Sequence, residues 1–118
     1  MKVLIADDNP EIASVIELFL ENSKVTFYRA MNSEDALNQA SSNLFDLIIT
    51  DYDFPPRGGL ELISKYRNAI GNTPLYVLTG VSISEEDLLS AGATKVFFKP
   101  NAIKRISDEI KTTIKKAS

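Results

Sequence analysis

The stretch Leu47–Pro56, LIITDYDFPP, decides how the rest of the chain is read. Leu47, Ile48 and Ile49 form a β-favouring apolar run, Thr50 leads to two carboxylates one residue apart, and Pro55–Pro56 breaks the chain. A short strand that is apolar throughout is expected where helices cover both faces of a sheet. Asp51 is then carried to the end of a buried central strand, which is a costly place for a carboxylate with no task.

Similar short runs lie at Val3–Ala6, Val25–Tyr28, Leu75–Thr79 and Val96–Phe98, with helical patterns between and after them. Ile12, Val15, Ile16 and Phe19 follow the spacing of an amphipathic helix that Asn9 caps and Pro10 opens. Further helices are expected over Ser33–Ser41, with Leu37 and Ala40 on the apolar side, and over Gly59–Asn68, with Leu60, Ile63 and Tyr66. Ser84-Glu-Glu-Asp87 has the form of a capping box and opens a short fourth helix that Gly92 ends. Ile103, Ile106, Ile110 and Ile114 give the last helix its stripe, and the basic end KTTIKKAS is expected to fray. Strict alternation of strand and helix means parallel strands joined by helical crossovers. The pattern predicts an α/β doubly wound parallel sheet of five strands in the order 2-1-3-4-5, with the mixed polar run Val25–Arg29 at an edge. Its functional crevice lies at the carboxyl ends of the first and third strands.

A chain of 118 residues holds one core, so residues 1–118 are expected to form a single domain. With 44% hydrophobic and 25% charged residues it has the balance of a soluble globular protein. A formal net charge of −3 gives no broad basic surface, which speaks against direct nucleic-acid binding. No apolar run reaches the length of a membrane span, and MKVLIADD turns acidic too early for a signal peptide, so a cytoplasmic location away from membranes is expected. The absence of cysteine excludes disulfides, thiolate metal sites and thiol nucleophiles. The absence of histidine removes the usual general base and any phosphohistidine on this chain. Chemistry here rests on carboxylates, hydroxyls, lysines and backbone amides.

Placed on the expected scaffold, Asp7 and Asp8 follow the first strand, Asp51 ends the third, Thr79 the fourth and Lys99 the fifth. In a parallel sheet these ends share one edge, so residues far apart in sequence converge. Taken singly each has a plainer explanation. Asp7 or Asp8 suits a helix cap, Asp53 a turn beside Pro55 and Gly58, Thr79 a strand interior and Lys99 the surface. Taken together, three crowded carboxylates need a counter-charge. Oxygen-only ligands with positions left to water suit Mg2+. A carboxylate, a metal, an ammonium and a hydroxyl donor describe a pocket that stabilises a phosphoryl group during transfer.

The set resembles a response regulator receiver domain over essentially the whole chain. ADDNP follows the first strand, DYDFPPRGG resembles the family's loop of Asp, two residues, a hydrophobic residue and Pro, LTG follows the fourth strand, and GA and FFKP flank the fifth. The resemblance implies a flavodoxin-like (βα)5 fold and a role in two-component signalling. It implies that Asp51 is the phospho-acceptor, that Asp8, Asp51 and the backbone carbonyl of Asp53 bind Mg2+, and that Asp7 holds metal-bound water. Thr79 and Lys99 would contact the acyl phosphate, and Lys99-Pro100 would be cis. The donor implied is a phosphohistidine on a sensor histidine kinase or a histidine phosphotransfer domain. The output implied is a change in the face of the fourth helix, fifth strand and fifth helix, read by an unnamed downstream protein, with the chain a monomer or a weak phosphorylation-linked dimer. No output domain is expected within the chain, which reads as a stand-alone or an excised receiver.

Several positions depart from the family pattern. Val96 stands where members usually carry the Tyr or Phe that reports switching, and Phe98 lies on the same strand face by the period of two. The expectation is a switch transmitted without the usual aromatic flip. Gly80 replaces a frequent alanine, and Asp53 and Val81 occupy positions that tune phosphate lifetime in the family. The Thr79–Gly92 segment is about two residues short, so the fourth helix is expected to be abbreviated, and Arg57-Gly58-Gly59 leaves its loop loose. Two other classes share features. A haloacid-dehalogenase-type phosphatase also starts from a strand ending in Asp-x-Asp, but it needs an acidic pair after the lysine, whereas this pair comes first and Asp108-Glu109 lies within the last helix. A pseudo-receiver would never carry phosphate, and Asp8, Asp51, Thr79 and Lys99 give it no support.

Overall fold

The computed structural model describes residues 1–21, 23–56 and 58–117, with residues 116 and 117 described by main chain only. Arg57, part of the loop expected to be loose, and Ser118 lie outside the described residues. Five strands alternate with five helices: β1 (Lys2–Ala6), α1 (Pro10–Phe19), β2 (Thr26–Ala30), α2 (Ser33–Ser42), β3 (Leu47–Asp51), α3 (Gly59–Ile70), β4 (Leu75–Thr79), α4 (Glu85–Ala91), β5 (Lys95–Phe98) and α5 (Ala102–Ala117). All pairings are parallel and the order is β2-β1-β3-β4-β5, the doubly wound arrangement expected from the alternation.

The alternation of side chains along each strand builds two cores. Leu4, Ala6, Ile48, Val77 and Val96 face one way and pack with Ala36, Leu62, Ile63, Tyr66 and Leu88 of α2, α3 and α4. Val3, Ile5, Leu47, Ile49, Leu78 and Phe97 face the other way and pack with Ala13, Ile16, Ala102, Ile106 and Ile110 of α1 and α5. Each large side chain sealed here contributes roughly 1.5–3 kcal/mol by leaving water. β2 has only one neighbour and stays mostly exposed, as its mixed sequence foretold.

Local signals start the helices where the sequence placed them. Asn9, Asn32 and Ser84 each accept a backbone N–H of the first turn, from Glu11, Asp35 and Asp87 respectively. Gly92, at φ 131°, ends α4 after seven residues, so the fourth helix is short. Three expectations are corrected. β2 starts at Thr26 and runs on to Ala30, because the β1 ladder continues to the Ala6–Ala30 pair. On α3 it is Leu62, with Ile63 and Tyr66, that is buried, while Leu60 is 39% exposed, because Gly59 starts the helix at a phase that turns Leu60 outward. α5 continues as helix through Lys111–Ala117, where a frayed tail was expected, and Ile114 still packs against the α1–α5 core.

Candidate functional site

The carboxyl ends of β1 and β3 bring three carboxylates together. One oxygen each from Asp7, Asp8 and Asp51 lies within 4.8 Å of the others. Asp7 continues β1, its N–H bonding to the Ala30 carbonyl at 3.1 Å, and its Oδ1 accepts the Asn9 N–H at 2.9 Å. The helix cap is therefore Asn9, and the acidic pair before it is left for the crevice. Asp7 Oδ2 is buried and accepts no hydrogen bond. Asp51 is the last residue of β3 and 8% exposed, while Asp8 is exposed.

Burial dominates the electrostatics. It raises Asp7 to about 6 from 3.8, against the Asn9 N–H, with the Asp51 charge adding to the rise and Lys99 opposing it. Burial also raises Asp51, opposed by the Lys99 ammonium and by the Asp53 N–H that bonds its carboxylate, with Asp8 and Asp53 adding to the rise. A trio that strains against its own charge, with an oxygen ligand left unbonded, fits a hard divalent cation.

Hydroxyl and ammonium groups stand at the neighbouring strand ends. Thr79 ends β4, is 1% exposed, and its Oγ1 accepts the Val81 N–H at 3.2 Å, which leaves the hydroxyl proton to donate. Lys99 follows β5, its N–H bonding to the Thr79 carbonyl at 2.9 Å. The Lys99-Pro100 peptide is cis, and so, unforeseen in the sequence, is Pro55-Pro56. Asp53 and Val81 are exposed at the rim. Val96 is buried and Phe98 packs half-buried against the same core cluster, so both occupy one face of β5.

Two features escaped sequence reasoning. A Cβ on Gly80 would sit 3.3 Å from Lys99 Cδ, so the lysine stem packs directly over the bare glycine. Behind Asp51, the buried Thr50 hydroxyl bonds the Asp51 carbonyl at 3.1 Å and the Tyr66 hydroxyl at 3.0 Å. Tyr66 looked like one more apolar position on α3, and only the tertiary fold reveals what its oxygen meets.

The family model for the response regulator receiver domain matches residues 3–111. Among curated relatives, the chain is 29% identical over 113 residues to the autoinducer 2 sensor kinase/phosphatase LuxQ of Vibrio vulnificus, covering 93% of this chain and 13% of that protein. It is 33% identical over 101 residues to the regulatory protein VanR of Enterococcus faecium, covering 84% of this chain and 43% of that protein. The chain thus spans less than half the length of either relative. Among solved structures, it is similar to a Francisella response regulator 1452 receiver domain, with a TM-score of 0.85, 26% identity, and 99% and 98% of the two chains covered. It is also similar to the chemotaxis response regulator CheY4 of Vibrio cholerae, with a TM-score of 0.81, 26% identity, and 94% and 96% covered.

Proposed function

The chain belongs to the family of response regulator receiver domains, and on that premise we propose that Asp51 accepts a phosphoryl group from a phosphohistidine donor, with Mg2+ held in the same crevice. The observation that carries this reading is the unbonded, buried Asp7 Oδ2 beside Asp8 and Asp51. Asp8 and Asp51, with the main-chain carbonyl of Asp53, would hold the ion directly, and Asp7 would hold it through a water. Bound there, Mg2+ supplies the positive charge that the crowded carboxylates lack and that the transferring phosphoryl oxygens need.

The chain's own groups do the rest. An Asp51 carboxylate oxygen forms the new bond to phosphorus, the P–N bond to the donor imidazole breaks, and the nitrogen keeps the electron pair. The product is an acyl phosphate. Attack requires Asp51 ionised, and the Lys99 ammonium and Asp53 N–H oppose the burial that would protonate it. Thr79 and Lys99 are the donors to the phosphoryl oxygens. Because these 118 residues contain no histidine, the phosphohistidine lies outside them, on a sensor kinase or a phosphotransfer domain. Phosphate would bias the α4–β5–α5 face for a downstream protein.

Intact mass after incubation with Mg2+ and acetyl phosphate tests the reading. The expected result is a gain of about 80 Da that disappears in Asp51→Asn and without Mg2+. No gain despite Mg2+ binding points to an acceptor that works only with its partner, and no gain with no metal binding points to an interaction module that never carries phosphate.

A further inference from the structure

Hydrogen bookkeeping behind the acceptor gives a direction to the buried hydroxyl pair. Thr50 has one hydroxyl proton, and it goes to the Asp51 carbonyl at 3.1 Å. The 3.0 Å contact with Tyr66 is then donated by the phenol, so protons point in series from Tyr66 to Thr50 to the Asp51 carbonyl. Both residues are completely buried, and burial holds the Tyr66 phenol far above its usual range, so it stays a neutral donor. A Val and a Phe would fill the same space with no polar atom to satisfy. Two hydroxyls that each add only about 1 kcal/mol net are a poor way to stabilise a core. What sets them apart is where the relay ends.

The Asp51 carbonyl belongs to the peptide that leads out of β3 into the turn that begins at Tyr52. That turn carries the Asp53 N–H, which bonds the Asp51 carboxylate, and is held by the Gly59 N–H on the Tyr52 carbonyl at 2.8 Å. Tyr66 sits two helical turns into α3, the helix that the turn enters. The relay thus ties α3 to the first peptide of the site loop, on the side away from the carboxylates. We propose that Thr50 and Tyr66 are positioning residues that hold the Asp51–Asp53 main chain in the geometry that a cation and a phosphoryl group require. Only the phosphorylation arm of the following test rests on the reading of Asp51 as acceptor.

Thr50→Val removes both bonds at nearly constant shape, Thr50→Ser keeps them, and Tyr66→Phe removes only the outer one. The main-chain amides of Tyr52–Phe54 are followed by NMR in metal-free protein, then the Mg2+ dissociation constant, then the rate of phosphorylation by acetyl phosphate at saturating Mg2+. In Thr50→Val the expected result is amide exchange about tenfold faster at Tyr52–Phe54 with β1 amides unchanged, Mg2+ affinity about fivefold weaker and a rate about tenfold lower. Thr50→Ser stays within about twofold of the parent, and Tyr66→Phe falls between. A lower melting temperature with loop amides, Mg2+ affinity and rate all unchanged makes the pair ordinary core and overturns the proposal. If Thr50→Val does not fold, Tyr66→Phe, which deletes one buried oxygen, decides by the same readouts. If the parent takes up no phosphate while the amides and Mg2+ affinity respond as stated, the positioning role stands and Asp51 does not take phosphate from acetyl phosphate.

Discussion

Asp7 shows how a residue with a proposed role in binding weighs on folding. Burial disfavours its charge and pushes its carboxyl up from 3.8 to about 6 in the metal-free fold. Between those values the folded state holds the extra proton, so stability falls as pH rises through this window. The cost is complete above the folded value and vanishes below the unfolded one. Two units correspond to something on the order of 2–3 kcal/mol at neutral pH. Asp7→Asn keeps an oxygen for the Asn9 N–H and removes the charge. In EDTA at pH 7 the variant is expected to be more stable than the parent by about 2 kcal/mol in urea unfolding, with the gap closing towards pH 4. A variant less stable than the parent at pH 7 would show that the buried charge costs nothing. The other side of this trade is metal affinity, which the same substitution should weaken.

At the scale of elements, Arg67 fastens three segments that the sequence presents as separate. From the last turn of α3 its Nε and Nη2 donate to the Gly92 carbonyl at 3.0 and 2.6 Å, and its Nη1 to the carbonyls of Gly71 and Thr73 at 2.6 and 2.8 Å. Nη2 also reaches Thr94 Oγ1 at 3.3 Å. The C-terminal end of α4, the entry to β4 and the entry to β5 are thereby held by one guanidinium, and a Cβ on Gly92 would sit 2.8 Å from Arg67 Cβ. Arg67→Ala leaves half-buried carbonyls unpaired and should cost about 3 kcal/mol, with Arg67→Lys recovering only part, because an ammonium lacks the planar fork. Hydrogen exchange should quicken first at Leu88–Thr94. Uniform loss of protection across the sheet would instead mean that the clamp is not specific to α4. None of this was legible in the sequence, where Arg67 is one more cation near a helix end. By contrast, the carboxyl ends of β1, β3, β4 and β5 were legible from apolar runs alone, and with them the convergence of Asp7, Asp8 and Asp51. Side-chain bonds between distant elements, such as Arg67 with Gly92 or Tyr66 with Thr50, need the packed fold to be seen, whereas parallel strand order needs only alternation. Leu60 and Leu62 mark the middle ground, since one residue of helix phase exchanges core and surface.

For the whole molecule, the site exists only when β1 and β3 are paired, because Asp8 and Asp51 are 43 residues apart in sequence and share no local structure. A cation bound across both is therefore bound by the folded state and negligibly by the unfolded chain. Mass action then ties global stability to metal concentration, each tenfold rise above the dissociation constant adding about 1.4 kcal/mol. For a domain of this size that is an upward shift of the melting temperature by roughly 4–8 °C per decade of Mg2+. Removal by EDTA should return the shift in full. Simple screening of the net negative charge would also stabilise, so the comparison is made against NaCl at matched ionic strength. Asp8→Asn and Asp51→Asn should flatten the Mg2+ dependence, while Glu86→Gln, an exposed acidic position on α4, should leave it intact. Equal shifts with NaCl and MgCl2, or an undiminished slope in Asp51→Asn, would mean that the three carboxylates hold no ion, and the buried oxygen of Asp7 would then need a different partner.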